Sequence, residues 1–107
     1  MAYVQEVLNK AADLLEKPGA WTQGALARLS DGTPVYSRSL SQASCYCMAG
    51  ALWVANGFRF PDEAFDALPE GPRGATGSWN DAPGRTQSEV VEALRAAAKA
   101  AGDKPTT

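Results

Sequence analysis

Between Ser41 and Asn56 the chain has almost no polar face: Ala43, Cys45, Tyr46, Cys47, Met48, Ala49, Ala51, Leu52, Trp53, Val54 and Ala55 follow one another with little interruption. A helix of that composition holds in water only when it is surrounded, so it belongs in the middle of whatever fold forms. Ser39 or Ser41 offers a cap for its start, and Asn56-Gly57 a left-handed end. Gly50, between two alanines, lets another backbone approach closely at about 1 kcal/mol of helix propensity.

The rest of the chain supplies the cover. Val4, Val7, Leu8, Ala11, Ala12, Leu14 and Leu15 recur at helical spacing among polar residues, and Pro18-Gly19 stops that helix. Residues Trp21 to Tyr36 have no sustained 3.6-residue period. Ser30-Asp31-Gly32 marks a turn there, so a short hairpin or an irregular wrap is expected over about 21-37, anchored by Trp21, Leu26, Leu29 and Tyr36. Pro61-Asp62-Glu63 opens a short helix to about Leu68, with Phe65 and Leu68 inward and Asp62, Glu63 and Asp66 outward. Pro69 to Ser78 reads as a Gly/Pro loop. Thr86-Gln87-Ser88-Glu89 is a capping box, followed by Val90, Val91, Leu94, Ala97, Ala98 and Ala101 on one stripe and closed by Gly102, with residues 102-107 expected to fray. The sum is a mainly α, compact bundle of about four helices with one irregular or hairpin segment. At 107 residues, with no linker or repeat, residues 1-107 are expected to form a single helical domain.

Charge and residue types narrow the function. The net charge is −2, and the basic residues are spread from Lys10 to Lys104, so no stripe is ready to displace counterions from phosphates and nucleic acid is not the favoured partner. No apolar run approaches the ~20 residues of a membrane span. The opening MAYVQEVLNK lacks the basic-then-apolar order of a secretory signal, and a cytoplasmic protein is expected. The chain has no histidine and only two cysteines, Cys45 and Cys47, so a four-ligand Cys/His zinc site and the Ser-His and Cys-His nucleophile pairs are excluded. No cofactor or metal is expected. On a helix the two thiols would project about 200° apart, and they are expected to be reduced and buried.

Three stretches carry candidate chemistry. Gly71 to Gly77 is glycine-rich but lacks the Gly-Lys-Ser/Thr end of a phosphate loop. Trp79-Asn80-Asp81-Ala82-Pro83-Gly84-Arg85-Thr86 sets an indole, an amide, a carboxylate and a guanidinium before a capped helix. The structural interpretation packs Trp79 on the core, closes an Asx-type turn with Asn80 or Asp81, gives Gly84 an unusual dihedral and ties Arg85 to a carboxylate. The functional one makes Trp79, Asn80, Asp81 and Arg85, with Cys47 as a thiol, a ligand or enzyme site at a helix N-terminus. Finally, Asp62, Glu63, Asp66 and Glu70 are either a solvated face or a docking surface that steers the protein to a basic partner, with the Arg73-containing loop beside them.

Trp21-Thr22-Gln23-Gly24, Cys47-Met48-Ala49-Gly50-Ala51-Leu52 and Trp79 through Val90 together resemble an uncharacterised family of small bacterial and phage proteins with W-x-Q-G, C-x-x-G-A-L and W-N-D-x-x-G-R-T-x-x-E-V blocks. The resemblance implies no reaction and no cofactor. Its implied occurrence in phages and mobile elements points to inhibitors that occupy a surface of a host complex, of the kind known among anti-CRISPR proteins. The expectation is a non-catalytic, monomeric, protein-binding module whose partner is a bacterial defence assembly such as a CRISPR effector. The alternatives are a ligand-binding or enzymatic site at the Trp79–Thr86 loop and a self-associating module built on the three tryptophans.

Overall fold

The computed structural model describes residues 2–103. Helix α1 (Ala2–Leu15) buries Val4, Val7, Leu8, Ala11, Ala12 and Leu15, the stripe its periodicity predicts. It packs most extensively against α5 (Gln87–Asp103), whose Val90, Leu94, Ala97, Ala98 and Ala101 form the facing stripe. Polar groups tie the same pair. Gln87 Nε2 donates to Leu15 O at 2.5 Å, satisfying a carbonyl that the end of α1 leaves free, and to Lys17 O at 2.8 Å, which also accepts from Ala20 N in the turn beyond. Arg95 reaches back to Asn9 Oδ1 at 3.1 Å and Asp13 Oδ1 at 2.7 Å and also bonds Glu16. The capping box of α5 forms as expected, with Thr86 N donating to Glu89 Oε1 at 2.9 Å and Glu89 N to Thr86 Oγ1 at 3.2 Å.

The segment from Trp21 onward resolves into a hairpin, β1 (Ala27–Arg28) and β2 (Pro34–Val35), turning through Gly32 at φ 92° with Thr33 N on Asp31 Oδ1 at 2.9 Å. Trp21, Leu26 and Leu29 are partly buried, but Tyr36 is not an anchor: it is 73% exposed, because β2 ends at Val35 and the chain leaves into a 3₁₀ segment, Ser37–Gln42. A third strand, β3 (Cys45–Tyr46), pairs antiparallel with β1, giving the order β2-β1-β3. Ala27, Val35 and Leu40 form a small core of their own beneath this sheet.

This third strand corrects the expected helix from Ser41. The central helix α2 spans only Met48–Ala55, and neither Ser39 nor Ser41 caps it. The backbone of 44–47 is committed to its neighbours instead: Ser44 N donates to Arg28 O at 2.8 Å, Tyr46 N to Ala20 O at 2.8 Å and Cys47 N to Leu26 O at 3.0 Å. Cys45 is therefore in a strand, and Cys47 is the N-cap of α2. Within α2, Met48, Gly50, Ala51 and Leu52 are buried, as a helix without a polar face requires.

Helix α3 covers Asp62–Asp66, shorter at both ends than its sequence signals suggest, with Ala64 and Leu68 buried and Phe65 partly so. The expected Gly/Pro loop and the turn after it contain a helical element that the sequence does not announce, α4 (Thr76–Asp81). Gly102 does not close α5: the helix runs through it to Asp103, and residues 104–107 of the expected frayed tail lie outside the described residues. Among the described residues the architecture is mainly helical, with four helices as anticipated, α4 as a fifth, and a small sheet against them. No helix among the described residues is long and apolar enough to cross a membrane.

Candidate functional site

The residues of the Trp79–Thr86 stretch and Cys47 do come together, on one side of α2. Helix α4 has six residues, includes Gly77, and lacks a side-chain cap, so local propensity cannot account for it. What holds it is Asn80, the one buried polar or charged side chain among the described residues, with none of its surface exposed. Its Oδ1 accepts from Trp21 Nε1 at 2.7 Å and from Met48 N at 3.0 Å; its Nδ2 donates to Thr22 O at 3.0 Å and Asp81 Oδ1 at 2.9 Å. An amide has two acceptor positions and two N–H donors, and all four are used.

Around it the connections repeat. Gln23 Nε2 donates to Asn80 O at 2.9 Å and Ala82 O at 3.2 Å, occupying the last carbonyls of α4, and Gly24 N, at a residue with φ 81°, donates to Asp81 Oδ1 at 3.0 Å. Arg28 secures the 22–24 turn through Thr22 Oγ1 and Gln23 O, each at 3.0 Å. Arg85 lies 3.8 Å over the Trp79 ring, donates from Nε to Trp79 O at 2.8 Å and pairs with Glu89 at 3.5 Å. Gly84 takes the left-handed conformation, φ 84°. The bond from Met48 N also explains how α2 starts without a Ser, Thr, Asp or Asn beside it. Two of its orphan N–H groups are met by Asn80, 32 residues downstream, and by Cys47 Sγ, which accepts from Gly50 N at 3.4 Å.

Asn80 is thus not part of an isolated Asx turn. It is the centre of a clasp joining the turn at 21–24, the start of α2 and the end of α4. Among the described residues no buried side-chain nitrogen or oxygen is without a partner, and no group of His, Cys, Asp and Glu is placed to hold a metal. Cys47 is 5% exposed, and burial pushes its thiol above the usual range, opposite to what a nucleophile needs. Thiol labelling at neutral pH is expected to leave Cys47 untouched in the folded protein and modify it fully in concentrated urea. The Tyr46 phenol is pushed upward too, by burial and then by Cys45. Groups whose pKa is raised on folding contribute stability that is complete below their unfolded pKa and lost as pH climbs through the folded one. The stability curve is therefore expected to decline above about pH 9, less steeply in Cys47→Ser.

The acidic candidates occupy a different place. Asp62, Glu63, Asp66 and Glu70 are exposed, and among the described residues none has an ion-pair partner. Asp62 and Glu63, with one cation, Arg59, edge a cleft of about 270 Å³ floored by Val4, Val7 and Ala64 and walled by Tyr3 and Phe60. Asp62 and Asp66 edge another, of about 380 Å³, together with Phe60, Phe65 and Gly74. Glu70 and the exposed Arg73 line neither and sit in the turn that follows α3.

Sequence reasoning did not anticipate the aromatic part of this corner. Phe60 is 55% exposed yet fixed, with edge-on ring contacts at 5.3 Å to both Trp53 and Phe65. Tyr3 and Phe58 are about half exposed as well. Phe58 has φ 64°, a left-handed backbone rare for an aromatic residue. Asn56 pins the turn: it donates to Arg59 O at 3.1 Å and Phe60 O at 3.2 Å and accepts from the Tyr3 hydroxyl. The available signal was Phe58-Arg59-Phe60 directly before Pro61, two aromatics outside any helical stripe.

Fold and surface together define a small, mainly helical protein with a fully engaged polar centre and an open corner that is both aromatic and acidic. The chain belongs to DUF6197, a family of unknown function, whose family model matches residues 1–100. Neither a curated protein nor a solved structure matches it.

Proposed function

We propose that this chain is a non-catalytic protein-binding module that acts by occupying a partner's surface through the corner formed by Tyr3, Phe60, Asp62, Glu63 and Asp66, with Glu70 and Arg73 contributing from the turn that follows α3. The observation that carries this is Phe60. A large aromatic ring, half in solvent but clamped by two others, loses little side-chain freedom when a partner covers it, and such anchors dominate binding energy. The unpaired carboxylates around it favour a basic partner surface with an apolar recess and speed its encounter at low salt. They also repel phosphates, which makes a protein partner the favoured one over nucleic acid.

Two further points support a binding role. In the rival site at Trp79, Asn80, Asp81, Arg85 and Cys47, the Asn80 amide is saturated and the Cys47 thiol is buried. Trp21, Trp53 and Trp79 are each partly buried within their own chain, which favours a monomer over tryptophan-driven self-association. The resemblance to bacterial and phage proteins extends the proposal: the partner is a component of a bacterial defence complex, such as a CRISPR effector, met in the host cytoplasm.

The test is a pull-down from bacterial lysate at low and high salt, followed by affinities of purified partner for defined variants. Phe60→Ala is expected to weaken binding at least tenfold, about 1.4 kcal/mol. Asp62→Asn, Glu63→Gln and Asp66→Asn combined are expected to slow association and flatten its salt dependence. A partner whose affinity and salt response are indifferent to both sets sinks the assignment of this surface.

A further inference from the structure

Two clefts meet at the aromatic corner, and they differ in chemistry although Phe60 and Asp62 line both. The one over Val4, Val7 and Ala64 is aliphatic at its base and has Arg59 on its edge. The other, of about 380 Å³, is lined by Phe60, Phe65, Asp62, Asp66, Gly74 and Thr76. No cation lines it: Arg59 borders only the first cleft, and Arg73, beside Gly74 in sequence, borders neither. Among the described residues no ion pair neutralises Asp62 or Asp66. Thr76 Oγ1 donates to Pro72 O at 3.0 Å, so its proton is committed and its oxygen is left to accept. The side chains of the second cleft therefore offer acceptors and ring surface and no free donor.

We propose that this second cleft receives an arginine side chain of the partner protein, an inference that rests on the corner being a docking surface and names the group it grips. Charge complementarity requires a cation. Asp62 and Asp66 stand four residues apart within α3, where like charges on neighbouring turns repel and cost the helix stability. Their Cβ atoms are about 5–6 Å apart at that spacing, so one cation between the two carboxylates relieves both. The aromatic lining decides which cation. Phe60 is held edge-on by Trp53 and Phe65, each at 5.3 Å, yet is 55% exposed, so it keeps ring surface open to the cleft's occupant. A guanidinium is planar and weakly hydrated; it stacks on such a ring while its five N–H groups, with no acceptor among them, fork toward separate oxygens. A lysine ammonium is a compact, strongly hydrated charge that gains less from the rings. A divalent metal finds only two carboxylates here, and among the described residues no larger group of metal donors.

The probe is arginine capped as its acetyl and methylamide derivative, titrated into the full chain in the millimolar range and read by NMR from amide and ring shifts, beside capped lysine and calcium ions. Capped arginine is expected to bind about fivefold tighter than capped lysine, with shifts centred on Phe60, Phe65, Asp66 and Thr76. Asp66→Asn alters this cleft alone and is expected to weaken arginine binding about fivefold. Glu63→Gln alters only the other cleft and is expected to leave it unchanged. Phe60→Leu keeps apolar bulk without a ring and is expected to narrow the preference for arginine over lysine. Against the purified partner, Asp66→Asn alone is expected to weaken affinity about fivefold as well. The proposal is overturned if capped lysine or calcium binds as tightly as capped arginine, if the shifts are absent or map elsewhere, or if Asp66→Asn leaves the partner's affinity unchanged. In each of those cases a loss of affinity in Phe60→Ala still supports the corner as a docking surface, so the two readings fail separately. A partner indifferent to both Phe60→Ala and Asp66→Asn removes both.

Discussion

Replacing Asn80 by leucine is expected to remove about 3–5 kcal/mol of stability, a large share of the roughly 5–15 kcal/mol available to a domain of this size. The isosteric change takes away four hydrogen bonds and strands three partners, the Trp21 indole N–H, the first N–H of α2 and the Thr22 carbonyl, while the exposed Asp81 Oδ1 keeps its bond from Gly24 N. Orphaned buried groups cost more than the bonds themselves were worth, about 1–3 kcal/mol each where water cannot reach. Asn80→Asp serves as the control for shape. It keeps the size and the acceptor but turns a carboxylate toward a carbonyl and another carboxylate, so a loss of similar size is expected. Urea unfolding monitored by tryptophan fluorescence measures both, and a midpoint within experimental error of the unaltered protein for either would show that the clasp is not what holds these elements.

The second large effect is expected at Gly50. An alanine there gains about 1 kcal/mol in helix propensity, yet its Cβ would lie 2.2 Å from the Leu26 carbonyl oxygen, a backbone atom fixed by its bond from Cys47 N at 3.0 Å. Either α2 or the start of the hairpin has to move, at a net cost of about 2–3 kcal/mol. Gly102 is the informative contrast. A Cβ there would come equally close to Gln5, at 2.0 Å, but the obstacle is the end of a flexible side chain. Gly102→Ala is therefore expected to change stability by less than about 0.5 kcal/mol. Equal losses at the two positions would show that the nature of the obstructing atom does not matter.

The parts of the fold that were legible in the sequence are those whose signal is local. Helices α1 and α5 follow from apolar spacing, the end of α1 from Pro18-Gly19, and the start of α5 from a four-residue box. The start of α2 was not legible, because residues 43–47 carry no period that marks a strand and its cap partner is 32 residues away. Nor was α4, six residues held by tertiary hydrogen bonds rather than propensity. At the surface, the acids of α3 were readable because carboxylates in the first turn of a helix point to solvent, although the Pro61 before them is buried. Phe60 was not: an aromatic residue normally marks the core, and only the packing of Trp53 and Phe65 on its edges shows that its other side is open. Asn80-Asp81 carries the composition of a turn, and nothing in that pair signals a buried hub.

The pairing of α1 with α5, exemplified by the Asn9–Arg95 bond across 86 positions, also sets an order of assembly. Until Gln87 and the residues after it have been synthesised, the stripe of α1 has only α2 and α3 to pack on and lacks its most extensive partner, and the Leu15 carbonyl has no donor from that side chain. Non-local closure of this kind is slow compared with helix formation. A nascent chain halted before α5 therefore displays an amphipathic helix with a partly uncovered greasy stripe, the sort of segment that chaperones retain and proteases recognise.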